Sequence, residues 1–393
     1  MSSGISTYSF PTKIRFGPGA RHELITELSA LGIQRPLIVT DRDIAKLSWF
    51  PTIESAITDI PSVTFSGLWG NPVVSQVTAG VSAYQQHHAD GIVAVGGGAP
   101  MDVAKAIALM ANHPGHLFDY EDDNSTRPID QPIPAIVAIP TTAGTGSEVG
   151  RSAVISDDAT HAKKIVFDPQ LLPKVVLADP ELLLGLPAKI TAATGMDALT
   201  HLIEAFLVKS NNPLCDGIAL EGIYLVSQHL RDCVEFAKKQ GVDEEVNPVA
   251  HLRARSGMLN ASMMGAIAFQ KGLGVTHSCA HALSTVCDTH HGLANGIMLP
   301  AAMRFNLDAE PDKFLRMARV VKPSATSGQE LIDWIVTLSQ AIDIPPSLQA
   351  LDVSTETVDK LVSVAINDVC HPMNPRPVAK EDFYAIYQDA LAA

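Results

Sequence analysis

The chain has 393 residues, of which 46% are hydrophobic and 18% charged, with a formal net charge of −14. Such a length predicts two domains rather than one core, and the composition is that of a well-buried globular enzyme, not of a disordered or fibrous chain. The acidic balance and the lack of any run of Lys or Arg exclude nucleic acid and an anionic membrane surface as partners.

The first apolar run, "RPLIVTD" (35–41), reads as a buried strand ending in Asp41. A carboxylate at that place accepts hydrogen bonds from an adenosine ribose and repels a 2′-phosphate, or else caps a following helix. Residues 74–88 have helical periodicity, and "DGIVAVGGG" (90–98) is a second strand running into three glycines. Gly96, Gly97 and Gly98 let backbone N–H groups approach a phosphate, and Pro100 suits the first turn of the helix predicted over 100–112. The positive end of that helix would face a pyrophosphate. The turn is not a G-x-G-x-x-G fingerprint, so a standard Rossmann motif is not supported. "QPIPAIVAIPTTAGTGSE" (131–148) supplies a third strand with a loop of hydroxyls and glycines, and "KVVLADP" (174–180) a fourth.

From about residue 186 the texture becomes helical, with hardly any strand-like run. The expected fold class is therefore α/β followed by all-α: an N-terminal α/β dinucleotide-binding domain with a parallel sheet over 1–185, and an all-helical domain over 186–393, which the aspartate and histidines read next make the expected metal-binding domain. "GMDALTHLIEA" (195–205) is the most informative helix. Asp197 and His201 stand four apart and leave the same face. Their neighbours Ala198, Leu199, Leu202 and Ile203 are apolar, so an unpaired carboxylate there is costly and a divalent cation resolves the cost. Then "VTHSCAHALSTVCDTHHG" (275–292) packs four of the chain's 14 histidines into one stretch. Helical spacing nominates His277 and His281. His290 and His291 are adjacent and point apart, so at most one of them is a ligand. Spacing alone leaves that choice open.

The motifs "VGGGAPMDVAKAIA", "IPTTAGTGSEV", "ATGMDALTHLIEAF", "GLGVTHSCAHAL", "HHGLANGIMLP" and "NPRPVAKEDF", in this order, resemble the iron-containing (group III) alcohol dehydrogenases over nearly the full length. The resemblance implies an alcohol:NAD+ oxidoreductase whose metal ligands are Asp197, His201, His277 and His291. His281 then takes the family's proton-path position and His290 is a bystander. One carboxylate with three imidazoles suits Fe2+ first and Zn2+ second. The cofactor is expected to be NAD, held by Asp41, Asn71, Gly97, Gly98, Ala99, Asp102, Thr141, Thr142, Ser152 and Lys163. Ala99 departs from the serine usual in the family, which removes a hydroxyl but no backbone donor.

The expected substrate is a small primary alcohol or its aldehyde. A hydroxy acid such as 4-hydroxybutyrate is the alternative, should Lys271 or Arg151 meet an anionic tail. A hydroxyacid–oxoacid transhydrogenase of the same fold is a further one. The 5 cysteines form no C-x-x-C, so they are not a disulfide framework. "MSSGISTYSF" has no secretory leader pattern and no apolar run is long enough to span a bilayer, which predicts a cytoplasmic protein. The low charged fraction and the family analogy predict a homodimer or larger homo-oligomer.

Overall fold

The computed structural model describes residues 9–10, 12–240 and 246–392; residues 1–8, where a leader was sought, lie outside the described ones. The chain divides into two compact units, which meet in sequence at Leu184 and Gly185; residues 143–145 also count with the second unit.

Among the described residues the first unit is built on eight strands: β1 Lys13–Phe16, β2 Pro36–Asp41, β3 Val63–Leu68, β4 Gly91–Gly96, β5 Ala135–Pro140, β6 Ser152–Ser156, β7 Lys163–Phe167 and β8 Val175–Ala178. Its helices are α1 Leu24–Ala30, α2 Phe50–Ser55, α3 Val74–His87 and α4 Gly98–Asn112. Six strands form one sheet in the order β1-β8-β5-β4-β2-β3, all parallel. The four central strands are the four apolar runs, and all but their terminal residues are buried. Continuous rather than alternating hydrophobicity is what a sheet covered on both faces requires. Parallel strands all emit their loops at the same edge, so Asp41, the glycines after β4 and the threonines after β5 come from one edge of adjacent strands. This is where open α/β sheets bind ligands.

Two things escaped the sequence. The edge strand β1 is largely exposed and the other edge strand, β3, is mostly half-buried, and β6 and β7 pair as an antiparallel hairpin. The hairpin is separate from the main sheet.

The second unit is helical: α5 Ala188–Leu207, α6 Pro213–Lys239, α7 Pro248–Ala268, α8 Val275–Cys287, α9 His291–Asn306, α10 Pro311–Val321, α11 Gln329–Ala341, α12 Thr355–Ala365 and α13 Lys380–Ala392. Helix α5 lies at its centre. From Gly195 to Leu207 every residue of α5 is buried, polar ones included, so it is apolar all round except where it carries functional groups. Asn212 caps α6, accepting from the backbone N–H of Cys215, and Asn247 caps α7, accepting from those of Val249 and Ala250, as N-cap residues do. Among the described residues no helix is long and apolar enough to cross a membrane.

Candidate metal and cofactor sites

Three helices of the second unit bring four side chains together. Helix α5 carries Asp197 and His201, α8 carries His277, and α9 begins with His291. One ligand atom from each of the four lies within 4.8 Å of every other. The Asp197 Oδ1 stands 3.8 Å from Nε2 of His201, 3.9 Å from Nε2 of His277 and 3.4 Å from Nε2 of His291. Asp197, His201 and His277 are buried. The rings of His201 and His277 stack at 4.7 Å, 17° from parallel. His290, the residue before α9, is not in the cluster.

A layer of partners that the sequence reading did not single out fixes these side chains. Glu204, one turn beyond His201 on α5, accepts from His277 Nδ1 at 2.7 Å and from the backbone N–H groups of Gly274 and Thr276 at 2.9 and 2.7 Å. Burial works to raise the Glu204 carboxyl, but these donors outweigh it and hold it below its ordinary value. Burial likewise works to lower His277, and the Glu204 carboxylate overcomes it and raises the imidazole's basicity. Burial pushes His201 down to about 4, so its ring is neutral with a lone pair to give. Asn295 follows His291 by one turn of α9. Its Nδ2 donates to Asp197 Oδ1 at 2.8 Å and lies 3.3 and 3.2 Å from Nε2 of His277 and His291.

His281 stands one turn past His277 on α8 and outside the four. Its ring stacks on that of His291 at 5.2 Å and 20°, and its Nδ1 meets Asp368 Oδ2 at 2.7 Å. Burial raises the Asp368 carboxyl, yet His281, Ser278 and the Cys370 N–H bring it well below the carboxylate range.

In the first unit, the expected cofactor residues stand on the loops after β2, β3, β4 and β5, at the start of α4 and on the hairpin. Gly96 has φ 150°, and a Cβ there would sit 2.5 Å from Pro100 Cγ; a Cβ on Gly97 would sit 2.9 Å from Thr142 Oγ1. The turn therefore admits only glycine and leaves backbone exposed beside a threonine hydroxyl. Helix α4 starts at Gly98 with Gly97 as N-cap, so the amides of Gly98 and Ala99 are first-turn donors that the helix itself does not use. Asp41 Oδ1 accepts from the N–H groups of Asp43 and Ile44 at 2.9 and 2.7 Å. Thus it caps the turn after β2 through one oxygen.

Asp102, on α4, accepts from Ser147 Oγ at 2.6 Å and Val154 N at 3.1 Å. It ties the glycine-rich helix to the loop after β5 and to β6. Lys105, one turn further on α4, donates to Ser147 O, Ser147 Oγ and Ser152 O at 2.7, 2.8 and 2.8 Å. Burial lowers its ammonium to about 8 and raises neighbouring Glu148 to about 7. Neither Lys105 nor Glu148 was singled out in the sequence; a lysine in an apolar helix repeat, "VAKAIALMA", is the signal that was there to read.

Two residues weighed for an anionic substrate tail have other duties. Lys271 is 4% exposed and hydrogen-bonded to Asp216, so its charge is already met by a carboxylate. Arg151 lies over the Phe167 ring at 5.1 Å.

The chain combines a parallel-sheet α/β unit with a helical unit that gathers one carboxylate and three imidazoles, and comparison with known proteins makes the class specific. The pattern of the family described as "Iron-containing alcohol dehydrogenase" matches residues 11–180, and that of "Fe-containing alcohol dehydrogenase family, C-terminal" matches residues 191–391. A 4-hydroxybutyrate dehydrogenase of Cupriavidus necator is 36% identical over 97% of this chain and 98% of its own. A crystal structure of 1,3-propanediol oxidoreductase superposes with a TM-score of 0.92 at 33% identity, covering 99% of this chain and 100% of the other. The sulfoacetaldehyde reductase of Bifidobacterium kashiwanohense, solved with NAD+, gives a TM-score of 0.89 at 28% identity over 100% of both chains. The chain belongs to the iron-containing alcohol dehydrogenase family. It is accordingly an alcohol dehydrogenase with NAD(H) and Fe2+ as its cofactors.

Proposed function

We propose that Asp197, His201, His277 and His291 hold the Fe2+ and that His281 moves the proton of the reacting alcohol. The convergence of one carboxylate oxygen and three imidazole Nε2 atoms within 4.8 Å carries this reading. The donor set suits the ion: among the described residues the ion pairs of buried Asp197 are with imidazoles alone. A buried carboxylate without a cation is costly. Bound iron supplies a Lewis acid at the substrate oxygen.

The protein's own part is orientation. Glu204 accepts the Nδ1 proton of His277 and so directs the Nε2 lone pair inward, while Asn295 holds the Asp197 carboxylate by its Oδ1. Such outer partners fix tautomer and ring direction and raise ligand basicity. For the cofactor, the first-turn amides of Gly98 and Ala99, with Gly97, Thr141 and Thr142 beside them, receive the pyrophosphate. Asp41 keeps one oxygen for the adenosine ribose, and Asn71, Ser152 and Lys163 complete the contacts. Asp102 acts on the cofactor by bracing the two loops that cradle it.

The substrate is a small primary alcohol or the matching aldehyde. The likeness to a 4-hydroxybutyrate dehydrogenase favours a hydroxy acid as the second reading, with its carboxylate met by a group other than Lys271. Comparing turnover of butanol and 4-hydroxybutyrate separates the two. A homodimer or larger homo-oligomer in the cytoplasm is supported by the 18% charged fraction and by five cysteines that are all free.

The test of the site is elemental analysis of protein purified without added metal, paired with alcohol-dependent NADH formation before and after anaerobic Fe2+ addition. About one ion per chain with activity tracking iron is expected. Folded protein with no metal and no rescue by iron sinks the assignment.

A further inference from the structure

We propose that Asp368 is the positioning residue of the proton path, setting the tautomer and plane of His281 so that Nε2 is the atom that exchanges the proton with substrate. This deepens the functional reading above and rests on its assignment of His281 to proton transfer.

Asp368 lies 87 positions beyond His281, past the end of α12, yet its carboxylate is placed against one face of α8. Oδ2 is 2.7 Å from His281 Nδ1, and Oδ1 accepts from Ser278 Oγ at 2.7 Å and from Cys370 N at 2.9 Å. Ser278 and His281 are three apart and share a helix face, so a single carboxylate grips two successive positions of it. Ser278 Oγ accepts in turn from His371 N at 2.9 Å, which secures the carboxylate-bearing segment at a second point.

An ionised carboxylate has only acceptors, so the atom facing it, Nδ1, must carry the proton. In the neutral ring Nε2 then bears the lone pair. The torsion that turns an imidazole ring is otherwise broad and roughly two-fold. Here one ring edge is pinned by Asp368 and one face lies on the His291 ring. The His281 and Asp368 side chains are 16% and 14% exposed, which leaves little water to compete for Nδ1.

The chemistry balances. The alcohol carbon gives a hydride, with its electron pair, to NAD+, and the hydroxyl proton passes to His281 Nε2 and on to solvent. Aldehyde, NADH and one proton result. With the other tautomer, Nε2 would already hold a proton and could accept none.

The experiment compares three variants, His281→Ala, Asp368→Asn and Asp368→Glu, in the iron-loaded enzyme. It reads kcat, KM for alcohol, iron per chain and the solvent deuterium isotope effect. His281→Ala is expected to lower kcat on the order of 10²-fold, the usual worth of a positioned acid–base group. Asp368→Asn, whose amide can offer N–H to Nδ1, is expected to lower kcat by a similar factor with KM and iron held and a larger isotope effect. Asp368→Glu, which keeps an acceptor-only partner, is expected to recover about tenfold of that loss. If His281→Ala falls and Asp368→Asn does not, this inference is overturned and the proton-path reading stands. If His281→Ala keeps full turnover, the proton-path reading itself fails and takes the inference with it. Loss of iron or of the fold in Asp368→Asn, or no recovery with glutamate, also overturns it, since the carboxylate would then be a structural tie.

Discussion

The Glu204 carboxylate meets Nδ1 of His277 across 2.7 Å, joining α5 to α8. On α5 the positions 197, 201 and 204 fall on one face, so the helix that carries two of the proposed ligands also supports a third, His277, from behind. Glu204→Gln puts an amide NH2 where Gly274 and Thr276 already direct N–H groups. We expect metal affinity to fall roughly 10–100-fold, as for other outer-sphere partners of metal-bound histidines. Competition with a chelator of known affinity measures it. Unchanged affinity would show the contact to be inert.

His290 and His291 are adjacent, yet only His291 joins the four. His201→Ala should therefore purify without stoichiometric iron and without alcohol-dependent NADH formation, whereas His290→Ala keeps both. Elemental analysis of the two variants side by side decides; iron lost from His290→Ala would reassign the ligand.

Asp41 closes β2 with one oxygen on the backbone of the next turn. Asp41→Ala removes both a ribose partner and a charge that repels a 2′-phosphate. The ratio of kcat/KM for NAD to that for NADP should drop at least tenfold, and stability by about 1 kcal/mol through the lost cap. Cofactor titrations at fixed alcohol give the ratio, and an unchanged ratio refutes the role.

Burial raises Glu148 to about 7 from an ordinary value of 4.5. Between those values the folded state binds a proton that the unfolded state has released, so stability falls as pH rises through the window. Glu148→Gln does not ionise there. It should match the wild type near pH 5 and exceed it above pH 7, by on the order of 2–3 kcal/mol from the shift, in which the attraction of Lys105 is already included. Melting temperatures of both proteins at the two ends of the window test this; a constant offset would rule it out.

Lys271 is committed to Asp216. Lys271→Met should leave the ratio of 4-hydroxybutyrate to butanol turnover unchanged while lowering Tm modestly, because the half-buried Asp216 carboxylate loses its partner. A selective loss of 4-hydroxybutyrate turnover would return Lys271 to the substrate pocket.

The central strands were legible because a sheet covered on both faces demands unbroken apolar runs, and "LIVT", "IVAV", "AIVAI" and "VVLA" are such runs. "KIRF" was not, because β1 is an edge strand whose side chains are mostly exposed, and two of its four are cations. Helix α5 was legible from Asp197 and His201 in an apolar setting. Glu204 was within reach, seven positions from Asp197 and so on its face. Asp368 was not, because nothing local links it to a histidine on α8 and only the folded chain brings them together. The choice between His290 and His291 could not come from spacing; it depends on where α9 begins.

That starting point has a consequence for descent. Helix α8 ends at Cys287 and α9 opens at His291, with Asp288 in the left-handed region at φ 51°. Each residue added to or removed from α9 near its start turns His291 by about 100° about the helix axis, enough to carry its imidazole out of the cluster. Selection on this connection should thus permit exchange of its letters and forbid changes in their number. Lineages that abandon the metal should be the first in which insertions and deletions accumulate there.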